Sequence, residues 1–352
     1  MALLNHVIEQ IEKIKEKCDR IKPLVVIQCF TYNQESFISY ALDGFVMQKT
    51  DFTFVAIVHD DASTDNTTQI VREYAEKYPD IILPIFEHKN QYSKGDGSHN
   101  KIMNAACIAT GAKYIAMCEG DDYWIDPLKL QKQVDFLETH PDYGLVHTNF
   151  KIYHQNSGEV ESNGSKIYHI VNGYVFESLL KGCFIRTATV MSRAELMLNI
   201  ENINNNMFSG DIFYFLEIAR HSKFYFFEEE TTIYRHLNNS ASHIPDHNKR
   251  LIMYKSLEAL DNYYISNYNV DKGIVDYVRK KWFVTYLKHY IISKDYTSFK
   301  TLQNNGELSI LKDPILYTVY SLGKNKYLFN TIIKIKNLLK RDTLSYKNSS
   351  GN

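Results

Sequence analysis

Residues 114–124 run Tyr-Ile-Ala-Met-Cys-Glu-Gly-Asp-Asp-Tyr-Trp, and the fold turns on how this stretch ends. Tyr114 to Met117 is a short apolar run of the kind a strand buried on both faces shows. Glu119, Asp121 and Asp122 follow it directly, ahead of Pro127. A buried strand that ends in clustered acids is costly, because like charges this close repel and raise one another's pKa unless a cation joins them. An oxygen-ligated divalent metal is the natural resolution. Taken alone, the stretch reads equally as an acidic turn in which Asp121 or Asp122 caps the following helix.

Working upstream, the same pattern repeats. Leu24-Val25-Val26-Ile27 and Phe54-Val55-Ala56-Ile57-Val58 are all-apolar runs that predict strands buried on both faces, and Ile81 to Ile85 predicts a third. Helices are expected over 36–47, 68–78 and 100–110, the last stopped by Gly111, with a polar, Gly-bearing loop over 87–99. Residues 1–20 place Leu4, Val7, Ile8, Ile11, Ile14 and Cys18 at three-and-four spacing, an amphipathic helix packed on the main body. Regular strand-helix alternation is the mark of an α/β sheet, and in open α/β sheets ligands bind beyond the carboxyl ends of the strands. Those ends are polar here: Thr31-Tyr32-Asn33-Gln34-Glu35 after the first strand and His59-Asp60-Asp61-Ala62-Ser63-Thr64-Asp65-Asn66 after the second. Helix capping by Asn33, Ser63, Asp65 or Asn66 accounts for part of this without function. Asp60 and Asp61, on the strand end itself, are placed to accept hydrogen bonds from a base imide or a ribose hydroxyl.

Composition narrows the class. With 352 residues and 44% hydrophobic content, the chain can bury one large α/β domain plus an appendage. Forty Lys and Arg against 41 Asp and Glu leave a net charge of −1, which does not recommend nucleic acid as a partner. Cys18, Cys29, Cys107, Cys118 and Cys183 are scattered and without CxxC spacing, as suits reduced structural thiols. No apolar run approaches the ~20 residues of a membrane span, and Glu9, Glu12 and Glu16 stand where a signal peptide needs apolar residues. The expectation is a cytoplasmic protein.

Together these segments resemble the family-2 inverting glycosyltransferases, nucleotide-sugar enzymes of GT-A fold. Phe30-Thr31-Tyr32-Asn33-Gln34-Glu35 is similar to their first-strand TYN motif, and Asp60-Asp61-Ala62-Ser63-Thr64-Asp65 to their DD-x-S-x-D segment. Glu119-Gly120-Asp121-Asp122 resembles their DxD metal motif, Glu119 replacing the first Asp on a longer arm, with Tyr123-Trp124-Ile125-Asp126-Pro127-Leu128 as the usual continuation. The resemblance covers roughly residues 24–245. It implies a Rossmann-like mixed β-sheet flanked by helices. It also implies Mn2+ or Mg2+ held by Asp121 with Glu119, and a nucleotide-sugar donor, UDP-linked by expectation, held by Thr31, Asn33, Glu35, Asp60, Asp61, Glu119, Asp121 and Asp122.

Beyond the acids, a helix is expected over 128–139 with Lys129, Lys132 and Glu138 outside, then a strand over 144–148 and a hairpin over 142–165. A helix over 173–180 precedes a β pattern over 182–191, which resembles the family segment lining the acceptor pocket. Arg186 there is a candidate for a phosphate or acidic sugar, as is Arg235 in Tyr234-Arg235-His236, which resembles the family's closing strand; His236 and His243 are weaker metal or phosphate candidates. Ser209-Gly210-Asp211 resembles the family motif whose last acid is the catalytic base. It also has the form of a helix N-cap, and a helix N-terminus favours the anionic carboxylate a base needs. Glu177 and Glu195 are the next acids in line.

Residues 249–352 have helical spacing over 251–268, 272–292 and 296–303, forming a helical appendage. The run 324–341 carries Lys324, Lys326, Lys334, Lys336, Lys340 and Arg341 without an acid, with Leu328, Ile332, Ile335 and Leu339 on one face. That pattern fits either packing on the catalytic domain or an anchor on an anionic membrane surface, at the inner face of the cell membrane. The expected organisation is an N-terminal helix 1–22, a catalytic domain 23–248 divided at 127/128 into nucleotide-sugar and acceptor halves, and the helical region 249–352. The implied activity is inverting, metal-assisted sugar transfer to a glycan or lipid-linked acceptor hydroxyl in surface polysaccharide synthesis. A nucleotidylyltransferase, or a catalytically silent sugar-binding protein of the same fold, are the alternatives.

Overall fold

The computed structural model describes residues 5–200, 210–237, 244, 246–305 and 320–321. In chain order its elements are α1 (Asn5–Ile21), β1 (Val25–Thr31), α2 (Ile38–Val46), β2 (Phe54–Asp60), α3 (Thr67–Lys77), β3 (Ile82–Phe86) and α4 (Ser98–Thr110). There follow β4 (Tyr114–Met117), β5 (Tyr123–Trp124), α5 (Lys129–Thr139), β6 (Tyr143–His154), β7 (Glu159–Glu161), α6 (Phe176–Lys181), β8 (Met191–Arg193) and α7 (Ala194–Leu198). The last are α8 (Gly210–His221), β9 (Lys223–His236), α9 (His247–Asn267), α10 (Lys272–Ser293) and α11 (Tyr296–Asn305). The chain divides into two compact units, Met1–Phe176 with Phe184–Asn238, and Glu177–Cys183 with Asn239–Asn352.

The first unit is built on one mixed sheet of order β3-β2-β1-β4-β8-β6-β9-β5, with β7 paired to β6. β1, β2, β3 and β4 run parallel, because each crossover carries a helix back over the sheet. Both faces of these strands are covered. Val25, Ile27 and Cys29 of β1 share a core with Ile38, Leu42 and Phe45 of α2 and with Leu130, Val134 and Leu137 of α5. On the opposite side Gln28 donates to Cys107 Sγ of α4 at 3.4 Å. Burial on two faces is why these strands read as unbroken apolar runs. Parallel register brings Thr31 beside Asp60, and the chain leaving β4 stays alongside β1, since Cys118 N donates to Gln28 O and Gly120 N to Phe30 O, each at 3.0 Å.

α1 belongs to this unit. Gln10 donates to Phe86 O at 3.2 Å and accepts from Phe86 N at 2.9 Å, so its amide completes the hydrogen bonding of the sheet's outer strand.

The other half is antiparallel where β8 joins β4 and β6, and parallel where the long β6 and β9 pair through irregular register at Thr148, Asn149 and Phe150. β5 closes the sheet on β9, with Tyr123 opposite Ile233 and Trp124 opposite Thr232. Three expectations need correction here. The stretch 182–191 is not a strand: residues Thr187–Thr189 form a 3-10 turn and β8 starts only at Met191. The helix expected over 173–180 is the shorter α6, Phe176–Lys181. Lys129, expected outside, is wholly buried.

In the second unit Asp246 caps α9 by accepting from Lys249 N, and Asp271 caps α10 by accepting from Gly273 N and Ile274 N. Asp261 of α9 accepts from Lys281 Nζ and Trp282 Nε1 of α10, both at 2.7 Å, and Phe283, Leu287, Ile291, Phe299 and Tyr320 form a small core. Glu177 lies in this unit and accepts from Asp271 N at 2.8 Å. The basic run 324–341, Ser209 and His243 lie outside the described residues.

Candidate active site

The polar ends of β1 and β2 clasp each other. Asn33, with a φ of 51° that asparagine tolerates, donates its N–H to Ser63 Oγ and accepts at Oδ1 from Thr64 N. Gln34 N donates to Thr67 Oγ1 and Glu35 N to Asp65 Oδ2, while Glu35 Oε2 accepts from Asn66 N. The structure thus gives Asn33 and Glu35 loop-to-loop partners. Thr31, at the end of β1, donates its hydroxyl to Gln34 Oε1 at 2.8 Å.

Asp60 and Asp61 are buried and partnered. Asp60 accepts from the Ser63 N–H and hydroxyl and from Thr68 Oγ1. Asp61 accepts from Gln91 N at 2.6 Å and Tyr92 N at 2.9 Å. A carboxylate has about four acceptor positions, so both keep capacity for a ligand's N–H or O–H. The turn that grips Asp61 is itself held by Glu87, which accepts from Gln91 Nε2 at 3.2 Å and lies 3.2 Å from His6 Nε2 on α1.

The acid segment hangs between β1 and β9. Gly120 leaves room there for the Gln34 amide: a Cβ would come within 2.3 Å of Gln34 Oε1 and 3.0 Å of Thr31 Oγ1. The Glu119 carboxyl is pushed up to about 8, first by burial and then by the charges of Asp121, Asp122 and Asp211. Burial also raises Asp121, with Arg235 offsetting it, and raises Asp122 well above its ordinary value with Asp121 adding to the effect. Asp122 Oδ1 accepts from Arg235 N at 2.8 Å.

Arg235, a phosphate candidate from sequence, serves here as a brace. Its Nε donates to Asp121 O at 2.9 Å and its Nη1 to Gln155 Oε1 at 2.7 Å, and the guanidinium packs against the rings of Phe37, Tyr40, Tyr123 and Tyr153. Arg186 is half-buried, donates to Tyr168 Oη and is ringed by Phe150, Tyr168 and Tyr234; its charge reaches Asp122. The His236 ring lies 5.2 Å from that of His154, tilted 49° to it.

Asp211 lies in the first turn of α8, exposed, with Thr187 Oγ1 donating to its Oδ2 at 3.4 Å. Its charge contributes to the rise of Glu119, so the two acids belong to one electrostatic neighbourhood. α8 is tied to α4 by Asn104, which donates to Tyr214 Oη at 3.3 Å. Glu195 instead lines a groove with Leu196, Asn199, Ile200, Glu217, Ile218 and His221.

Whether the acids fit a divalent cation is decided by their chemistry. Glu119, Asp121 and Asp122 are hard oxygen donors whose ionised forms are disfavoured as they stand, which a bound cation would reverse. Among the described residues no three His, Cys, Asp or Glu side chains converge as a complete cage.

Sequence reasoning missed Gln34, Gln91, Trp124, Lys129 and Gln133. For the last two a signal existed: they stand four apart beside the apolar stripe of Leu130, Val134 and Leu137, on the inward edge of α5.

Comparison with known proteins places the pattern. Residues 27–194 match the model of glycosyl transferase family 2. An uncharacterized protein of Mycobacterium tuberculosis is 47% identical over 116 residues, 33% of this chain and 32% of that one. The chain therefore spans about a third of that relative's length. Among solved structures, S. aureus TarS 1–349 in complex with UDP-GlcNAc superposes with a TM-score of 0.58 at 16% identity, covering 89% of this chain and 91% of that one. The mannosyltransferase PcManGT from Pyrobaculum calidifontis, in complex with GDP-Man and Mn2+, gives 0.53 at 15% identity over 96% of each chain. At these identities the likeness is one of fold, the mixed sheet with flanking helices of GT-A glycosyltransferases.

Proposed function

With residues 27–194 identified as a family-2 glycosyltransferase segment on a GT-A fold, we propose that the protein moves a sugar from a nucleoside-diphosphate donor, UDP-linked by preference, to a hydroxyl of a glycan or lipid-linked acceptor, with inversion at the anomeric carbon. The observation that carries this is the cluster Glu119, Asp121 and Asp122 at the end of β4, raised by burial and mutual repulsion, with Asp211 close enough to add to it. Asp121, with Glu119, would hold Mn2+ or Mg2+; when bound, the ion neutralises charge developing on the diphosphate leaving group. Asp60, Asp61 and Thr31 hold the nucleoside through acceptor positions their loop partners leave open. Asp211, in the first turn of α8, takes the acceptor hydroxyl's proton as the oxygen attacks C1 and the bond to diphosphate breaks.

Transfer is favoured over nucleotidyl transfer by the loop after β1. A nucleotidylyltransferase needs free backbone N–H groups there for phosphates, and those of Asn33, Gln34 and Glu35 are taken by Ser63, Thr67 and Asp65. The other parts of the reading, a role in surface polysaccharide synthesis and contact with an anionic membrane, rest on family resemblance and on the basic run 324–341.

The test is calorimetry with UDP, and melting with UDP-N-acetylglucosamine, UDP-glucose and UDP-galactose, each with Mn2+ and with chelator. A ligand at a hundred times its Kd adds about 2.7 kcal/mol of stability. Binding should need the cation, and Asp121→Ala should remove both that dependence and turnover. Equal UDP affinity in chelator would refute the metal assignment. Asp211→Asn should keep UDP affinity and lose about 10²-fold in turnover; a fully active variant would move the base elsewhere, Glu195 being the next acid of this unit to test.

A further inference from the structure

We propose that Lys129 and Gln133 are positioning residues of the transfer reaction, fixing the turn that holds Asp211 against the acid segment; the inference rests on Asp211 as the base. Lys129 opens α5 with its side chain fully buried, Nζ donating to Gln133 Oε1 at 2.8 Å and standing 4.3 Å from the centroid of the Trp124 ring. Packing alone does not ask for an amine at this place, since leucine or methionine would extend the stripe of Leu130, Val134 and Leu137. Burial is also unfavourable to the charge, pulling the amine down to about 7.

What the pair accomplishes is visible at the 3-10 turn Thr187–Thr189. Trp124 Nε1 donates to Ala188 O at 2.8 Å, and Gln133 Nε2 donates to Thr189 O at 2.9 Å. The remaining residue of the turn, Thr187, donates its hydroxyl to Asp211 Oδ2. Trp124 follows Asp122 by two residues. One rigid frame therefore links the acids that would face the diphosphate to the carboxylate that would face the acceptor.

The choice of lysine follows from hydrogen-bond chemistry. Lys129 Nζ donates to Gln133 Oε1, so the amide presents its oxygen to the amine and leaves Nε2–H for the Thr189 carbonyl. An apolar residue at 129 would leave the buried Gln133 Oε1 without its donor, and the amide would lose the anchor that fixes its N–H against the Thr189 carbonyl.

The experiment measures UDP release from UDP-N-acetylglucosamine, UDP-glucose and UDP-galactose in Mn2+, with water as acceptor, alongside UDP affinity and melting temperature. Gln133→Glu keeps an acceptor for Lys129 and removes the donor to Thr189, and Lys129→Met keeps the stem. Both should lower turnover about 10-fold or more with UDP affinity within about 2-fold. Combined with Asp211→Asn, either should cost less than about a further 2-fold, because residues acting through one another are not additive. A pair that serves only the core would lower the melting temperature and leave turnover per folded molecule unchanged, or multiply with Asp211→Asn; either result overturns the inference, as does failure of both variants to fold. If Asp211→Asn alone is fully active, the base assignment fails and takes this inference with it. If Asp211→Asn is inactive and the α5 variants are normal, only this inference fails.

Discussion

Burial acts on Glu119 and Lys129 in opposite senses. Glu119 is raised from 4.5 to about 8, by desolvation first and then by Asp121 and Asp122, while Lys129 is lowered from 10.5 to about 7 by desolvation. An acid whose pKa is raised on folding contributes stability that is fully present below its unfolded value and is lost as pH climbs through its folded value. For Glu119 that loss runs from 4.5 to about 8. For Lys129, a base with a lowered pKa, the contribution grows as pH rises from about 7 to 10.5. Glu119→Gln removes the first term and leaves the second. In chelator the variant should gain melting temperature relative to the parent as pH rises across the Glu119 window, with the two alike at the acid end. A constant difference across that window would show that Glu119 does not titrate there.

At the scale of elements, the turn joining β4 to β5 is set by contact rather than by charge. Gly120 gives its N–H to Phe30 O, and its missing side chain makes room for the Gln34 amide that Thr31 engages. Gly120→Ala should therefore cost about 1–3 kcal/mol, the range of overpacked sites. The offending atom is the end of one side chain, so adding Gln34→Ala should recover more than half. Urea unfolding of the two variants decides the matter; no recovery would mean that the side chains of Ile38 and Thr31, each 3.0 Å from such a Cβ, are the obstacle. The same logic explains the misjudged 182–191 stretch. Its mixture of apolar and hydroxyl residues resembles a strand, yet the hydroxyl of Thr189 turns back to Arg186 O and the carbonyls of Ala188 and Thr189 are claimed by Trp124 and Gln133. Side chains remote in sequence outbid the ladder for those groups.

For the whole molecule, the open matter is what the helical region adds. No helix among the described residues is long and apolar enough to cross a membrane. The acid-free run 324–341, with six basic residues and with Leu328, Ile332, Ile335 and Leu339 at helical spacing in its sequence, suits an anionic lipid surface. Truncation after Gly323 should weaken cosedimentation with phosphatidylserine vesicles and leave turnover of a soluble UDP-sugar intact. Equal cosedimentation of both forms would refute the anchor, and loss of solubility would assign the run to packing.

The parallel half of the sheet was legible in the chain itself, because strands buried on both faces must be apolar throughout and must hand polar residues to their carboxyl ends. β1, β2, β3 and β4, their helices, and the placing of Thr31 and Asp60 side by side at adjoining strand ends follow from that rule. The candidate base was legible only through family likeness, since an aspartate opening a helix has a sufficient local reason to be there. Tertiary structure decided the rest. It showed Arg235 as a brace for Asp121 and Asp122, Asn33 and Glu35 as a clasp between loops, and Lys129 as a buried lysine bonded to Gln133. Each outcome depends on partners far along the chain, Gln155 for Arg235, Thr64 and Asp65 for the clasp, and Thr189, which the Gln133 amide bonds, for Lys129. Local pattern records only which face a residue presents, whereas the role of a polar side chain is set by the acceptors and charges that folding brings within reach.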